Sequence, residues 1–246
     1  MALKEDFEHS GQWLFRWRSY LPLFGLAVIL MALREYEYPG HNETLDHLWE
    51  VVCLVVSFAG LAIRSYTIGH TPKGTSGRNT KHQVVDILNT TGVYSLVCNL
   101  LYLGNFFMGL GVAFFAHLWW LTMIYVLVFW LYYERIIFAE EAYLRDKFGA
   151  EYLTWADRTP VIIPSFRNYK KSILPFSFKN VLRREYNGFF AVIVCLFLFE
   201  TLGELITKRR LEFDSGWIAA LAVGFVVWLT LRTLKKRTRL LNVDGR

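Results

Sequence analysis

Residues 93–138 read VYSLVCNLLYLGNFFMGLGVAFFAHLWWLTMIYVLVFWLYYERIIF, an apolar tract with few internal charges. A helix needs roughly 20 mostly apolar residues to cross a bilayer. The tract is therefore long enough for two spans, from about Val93 to Ala116 and from about Leu118 to Phe138. His117, Trp119 and Trp120 mark the only place between them for a tight turn. Working outward, further apolar blocks run from about Ser19 to Leu33, Leu45 to Ile63, Phe189 to Ile206 and Trp217 to Leu234. Unpaired backbone polar groups are not tolerated in hydrocarbon, so all six blocks are read as helices. With 54% of the chain hydrophobic and those residues gathered in blocks, the class is membrane rather than soluble core. The expected fold is all-α, a polytopic membrane helix bundle of about six transmembrane helices.

Charge gives the orientation. Of the 27 basic residues, 23 fall in the N-terminal segment, the loop from Arg64 to Lys81, the interval from Arg135 to Arg184 and the C-terminal tail, all on one face. Only Arg34, Lys208, Arg209 and Arg210 fall on the other. Cytosolic segments carry the Lys and Arg excess, so both termini are expected in the cytosol. The expected location is a multi-pass site in the inner (cytoplasmic) membrane of a bacterium, or in the endoplasmic reticulum of a eukaryote. The net charge of +6 is spread over juxtamembrane loops and reads as a topology signal, with no nucleic acid as partner. Cys53, Cys98 and Cys195 all lie in expected spans without paired spacing, which argues against disulfides and zinc. The N-terminus (Lys4, Glu5, Asp6, Glu8) lacks the small-residue cleavage pattern of a signal peptide, so the first span is expected to be retained. The chain divides into residues 1–88, 89–168 and 169–246, with the distinctive sequence concentrated in the middle unit.

Two intervals on the cytosolic side carry more than a connector needs. The loop GHTPKGTSGRNTK (residues 69–81) leads into Asn89-Thr90-Thr91-Gly92 and is rich in donors. Glycines beside hydroxyls and cations can present N–H groups to a phosphate, and Arg78 and Lys81 are its candidate substrate-binding cations. A solvated basic loop against lipid headgroups is the plain alternative. The segment EEAYLRDKFGAEYLTWADRTPVIIP (residues 140–164) sets Tyr143, Leu144, Phe148, Tyr152 and Trp155 at helical spacing. Gly149 weakens that helix midway, and Pro160 and Pro164 end it and turn the chain back toward the bilayer. An amphipathic surface helix is the alternative here.

The second segment resembles the C-terminal motif of the isoprenylcysteine carboxyl methyltransferase family. Glu140-Glu141, Leu144, Phe148-Gly149, Tyr152, Trp155, Arg158, Pro160 and Pro164 match it without a gap. Gly92-Val93-Tyr94, Tyr102, Gly104 and Gly111 are similar to the family's upstream pattern. The words SGRNTK, LNTTG and LYLGNF look like a bacterial branch that includes the lipid A 1-phosphate methyltransferases. One departure stands out: where the family has Arg-His-Pro or Arg-Asn-Pro, this chain has Cys98-Asn99-Leu100. The fixed arginine is missing, and without the proline the third span is expected to run straighter.

The resemblance implies an S-adenosyl-L-methionine-dependent O-methyltransferase acting on a membrane lipid or lipid-linked acceptor, most simply a lipid phosphate such as lipid A 1-phosphate. Methyl transfer from a sulfonium needs alignment and exclusion of water. No metal is required. It implies cofactor contacts from Tyr102, Gly104, Gly109, Gly111, Glu140, Glu141, Tyr152 and Trp155, with Arg158 orienting the acceptor and Asn99 in the catalytic position of the upstream motif. The Gly109 to Gly111 step equally suits helix packing. Three alternatives stay open: carboxyl methylation of a prenylated cysteine, a sterol-type reductase, and a relative that has lost catalysis and binds lipid or partner. Glu140-Glu141 and LYLGNF argue against the reductase. Glu200 and Glu204, with Lys208 four residues on, read as a helix pair at the outer interface, and His117 and His70 read as surface residues.

Overall fold

The computed structural model describes residues 3–35, 43–75, 85–211 and 213–246. Among them the regular structure is helical: α1 (Leu3–Trp17), α2 (Leu21–Ala32), α3 (Glu43–Gly69), α4 (Leu100–Phe114), α5 (Trp119–Phe148), α6 (Ala150–Ala156), α7 (Phe178–Lys208) and α8 (Ser215–Arg237). Helices α3, α5, α7 and α8 are each long and apolar enough to cross a membrane. The protein is an all-α polytopic membrane bundle. Much of the apolar surface of α5 and α8, including Leu127, Val128, Leu131, Val223 and Val226, is exposed and suited to acyl chains.

The two remaining expected spans are shorter than the sequence suggests. α2 has 12 residues and α4 has 15, about 18 and 22 Å at 1.5 Å per residue, against a hydrocarbon core of about 30 Å. The expected straight helix from Val93 does not form. Residues 93–95 make a single 3-10 turn and α4 begins only at Leu100. The reason is tertiary: the Cys98 N–H donates to the Pro160 carbonyl at 2.9 Å, and the Ser165 N–H donates to the Leu96 carbonyl at 2.9 Å. The Gly92 N–H donates to the Lys170 carbonyl at 2.8 Å. These bonds to the returning segment replace the helix's own.

The N-terminal segment folds as α1 and lies across α5. Gly11 sits against the Arg135 carbonyl and the Ala139 methyl, and Phe7 meets Phe138 edge to face at 5.7 Å. α5 itself runs on through Glu140 to Phe148, about 45 Å, so its last turns extend past a bilayer core. It ends at Gly149, whose φ of 52° and ψ of −123° open the way into α6. Side-chain caps start the last two helices. Ser177 Oγ accepts from the Asn180 N–H at 3.3 Å, and Asp214 Oδ1 accepts from Gly216 and Trp217 N–H groups.

Candidate active site

α3 and α4 approach backbone to backbone. A Cβ at Gly104 would strike the Gly60 carbonyl and Arg64, and one at Gly111 would strike Ser57 and the Cys53 carbonyl. A Cβ at Gly109 would strike the Tyr125 ring on α5. The three glycines assigned to the cofactor by resemblance therefore lie in interhelical seams, and the structure does not bring them to the cavity described next. Small residues at such crossings let helices pack closely.

Close packing along these seams brings Arg64 over α4, beside a cavity of about 310 Å³ lined mainly by α1, α3, the 89–99 strap, α4, α5, α6 and α7. Arg64 is held there firmly. Its Nε and Nη2 donate to the Glu185 carboxylate, each at 2.8 Å, and its Nη1 donates to Asn105 Oδ1 at 2.6 Å. Asn105 Nδ2 in turn donates to the Tyr133 hydroxyl at 3.1 Å. A guanidinium has five N–H donors, so three protein bonds leave donor capacity on Arg64. Arg18 and Arg184 also line the cavity, making three arginines against Glu140 and Glu185, a net charge of +1.

The lining also carries carboxylate and aromatic groups. Glu140 lies 4.0 Å from Arg18 and is hydrogen-bonded to the Tyr102 hydroxyl. Tyr102 packs on Tyr133 at 4.6 Å, and Trp155 donates its Nε1 proton to the Tyr94 carbonyl at 2.8 Å. That bond ties α6 to the strap. Tyr94 lines the same cavity; burial pushes its phenol up to about 12, against the lowering effect of its hydrogen bond with Thr71, so it stays neutral at physiological pH. Asn99 also faces the cavity, with Nδ2 donating to the Val161 carbonyl at 3.2 Å. Cys98 lines it too, in the place where the upstream motif lacks its arginine, and its Sγ is 3.4 Å from the Thr159 carbonyl.

The cavity thus gathers Asn99, Tyr102, Glu140 and Trp155. It does not gather the rest. Glu141, one residue on and so about 100° around the helix, lines an open groove between α1 and α5 with Lys4, Glu8 and Arg16. Tyr152 is core, buried edge to face against Trp155 at 5.7 Å. Arg158 is exposed and outside the cavity lining, its carbonyl taking a bond from Asn168 Nδ2 at 3.3 Å. Arg78 and Lys81 lie outside the described residues. Arg18, Arg64, Arg184 and Glu185 were missed by sequence reasoning. All four lie outside the recognisable motif; the one signal was that Arg64 closes an apolar span and Glu185 opens one.

Residues 50–151 match a family model described as phospholipid methyltransferase. Over 152 residues the chain is 26% identical to the Protein-S-isoprenylcysteine O-methyltransferase of Saccharomyces cerevisiae. That alignment takes in 60% of this chain and 64% of the yeast protein, so the chain spans somewhat less than two thirds of the relative's length. No solved structure matches the chain. The family match runs from α3 through the strap and α4 to the first residues of α6, the elements that build most of the cavity wall. These two matches support a likeness of this integral membrane protein to the isoprenylcysteine and phospholipid methyltransferases.

Proposed function

We propose that the cavity is the active site of an S-adenosyl-L-methionine-dependent O-methyltransferase whose acceptor is an anionic group carried by a membrane lipid, in the first instance a lipid phosphate. The observation that carries this reading is what the cavity gathers: Glu140, Tyr102 and Trp155 together with three arginines, of which Arg18 lies 4.0 Å from Glu140 and Arg64 is held by Glu185. S-adenosyl-L-methionine, when bound, supplies an electrophilic methyl group on a sulfonium.

The residues present fit such a group. The Glu140 carboxylate offsets positive charge, and the Tyr102 and Trp155 rings offer stacking and cation-π surface. Arg64, Arg18 and Arg184 suit an anionic oxygen acceptor, since guanidinium matches phosphate geometry. A phosphate is already an anion, so its oxygen needs no base to remove a proton. The strap and α6 are pinned together through Trp155 and Tyr94, which fixes these two parts of the lining relative to each other. The arginines reach the cavity from the turn after α1 and from α3 and α7, which answers the missing cation at Cys98: the charge enters from other elements.

The name of the yeast relative favours a second reading, carboxyl methylation of a prenylated cysteine. The arginines suit a carboxylate equally.

The first test is calorimetric titration of the detergent-purified chain with S-adenosylhomocysteine, wild type against Glu140→Gln. Saturable binding that weakens at least about tenfold in the variant, the size of one charge-assisted hydrogen bond, is expected. A folded protein that binds nothing at millimolar ligand overturns the reading. Transfer of labelled methyl to a lipid A 1-phosphate acceptor or to a farnesylated cysteine then separates the two acceptors.

A further inference from the structure

At the end of the bundle away from the cavity, three carboxylates meet. Asp46 and Glu50 lie one turn apart on α3, and Glu200 lies on α7, about 22 Å along that helix from Glu185. An oxygen from each lies within 4.8 Å of the others, and the residues are 2%, 7% and 4% exposed. Two nearby oxygens add a separate observation. Among the described residues, Glu50 Oε1 and Glu204 Oε2 are both buried without a hydrogen-bond partner. Glu204 is 9% exposed, sits one turn beyond Glu200 on the same face of α7, and interacts with it electrostatically.

Glu200 and Glu50 are hydrogen-bonded to each other, yet among the described residues no donor reaches Glu50 Oε1 or Glu204 Oε2. His117 Nε2 is 2.9 Å from Asp46 Oδ1. His47 Nδ1 and Trp217 Nε1 each reach only the other Glu50 oxygen, at 3.4 Å. Lys208 is paired with the other Glu204 oxygen at 3.2 Å. Buried acceptor oxygens without donors are costly, and buried carboxylates in a group are more costly still. Oxygens that ligate one cation at about 2.0–2.6 Å lie at most about 5 Å apart, which is the spacing found here.

We propose that Asp46, Glu50 and Glu200 bind one divalent cation that joins α3 to α7. The all-oxygen donor set suits a hard ion of the Mg²⁺, Ca²⁺ or Mn²⁺ class. His117 acts from outside the ligand shell, orienting Asp46 through its Nε2 bond, as second-shell partners do. The outer acids are thereby more than an interfacial helix pair, and His117 is more than a surface residue. The site is independent of any methyl transfer at the other end.

The probe is Mn²⁺, followed by electron paramagnetic resonance on the full chain in detergent after EDTA treatment, with thermal unfolding measured in parallel. One Mn²⁺ per chain, displaced by Mg²⁺ or Ca²⁺, is expected, together with a rise in the unfolding temperature. Glu50→Gln and Glu200→Gln should each lower the affinity at least about tenfold and remove the thermal response. Failure of the wild type to bind Mn²⁺ stoichiometrically overturns the proposal whatever the variants do. So does binding that both folded variants retain. A cluster held by a shared proton between Glu50 and Glu200 would show no response to EDTA, and that result also overturns it.

Discussion

The Arg64 guanidinium and the Glu185 carboxylate form a two-point pair, Nε to Oε2 and Nη2 to Oε1, each at 2.8 Å, across α3 and α7. The pair does two jobs at once. It pins two spanning helices, and it fixes a guanidinium beside the cavity with donor capacity left over.

Removing one partner leaves the other charged and poorly solvated. Glu185→Ala or Arg64→Ala is expected to lower stability by about 3–5 kcal/mol, while the apolar pair Arg64→Met with Glu185→Leu should cost less than either single change. Chemical denaturation in mixed micelles checks this, with Arg64→Met, Glu185→Leu and their combination closing a double-mutant cycle. Additive losses would mean that the two groups do not act as a pair.

Gly149 allows a cleaner test, because among the described residues nothing lies within 4 Å of where its Cβ would be. Its φ of 52° and ψ of −123° belong to a region that L side chains avoid. Gly149→Ala is therefore expected to cost about 1–3 kcal/mol through backbone strain alone. Because α6 carries Trp155, S-adenosylhomocysteine affinity should fall with it. An unfolding midpoint unchanged from wild type would show that the α5–α6 turn relaxes freely.

The glycines separate packing from ligand contact. Gly104→Val and Gly111→Val put a side chain into backbone on α3 and are expected to destabilise the bundle by about 1–3 kcal/mol or more. Gly109→Ala meets a tyrosine ring instead. It should leave S-adenosylhomocysteine affinity per folded molecule unchanged. A variant of Gly109 that stays folded but loses the ligand would return this glycine to the cofactor.

How far the sequence reveals this arrangement depends on the range of each interaction. Spans α3, α5, α7 and α8 are legible because hydropathy is local and the bilayer sets their length. The start of α4 is not legible. It is decided by bonds from Leu96 and Cys98 to residues more than 60 positions later, which no periodicity reports. α1 was hidden by its acids, although Phe7, Gly11 and Phe15 mark the packed face at intervals of four. The Glu140-Glu141 pair was legible as a motif, but only the helix angle separates the cavity residue from the groove residue. Glu204 with Lys208 could be read at i,i+4, whereas Asp46 and Glu50 meet Glu200 across 150 residues. The arginines missed at the cavity share that cause.

Cys98 offers a pH-dependent readout of the strap, which lies outside the spanning helices. Burial first, and the Glu141 carboxylate second, push its thiol up to about 12 from an ordinary 9.0. The thiolate is the reactive form, so at pH 8 alkylation of Cys98 in the folded chain should run on the order of a thousandfold slower than for an unperturbed thiol. Glu141→Gln removes a like charge and should speed it. Holding the proton more tightly when folded also means that Cys98 adds stability below about pH 9 and loses that contribution as pH rises from about 9 to about 12. Peptide mapping by mass spectrometry after timed alkylation distinguishes Cys98 from Cys53 and Cys195. Rapid labelling of Cys98 at pH 8 in a folded sample would mean that the strap opens away from Thr159 and Pro160, and that the cavity is exposed to water there.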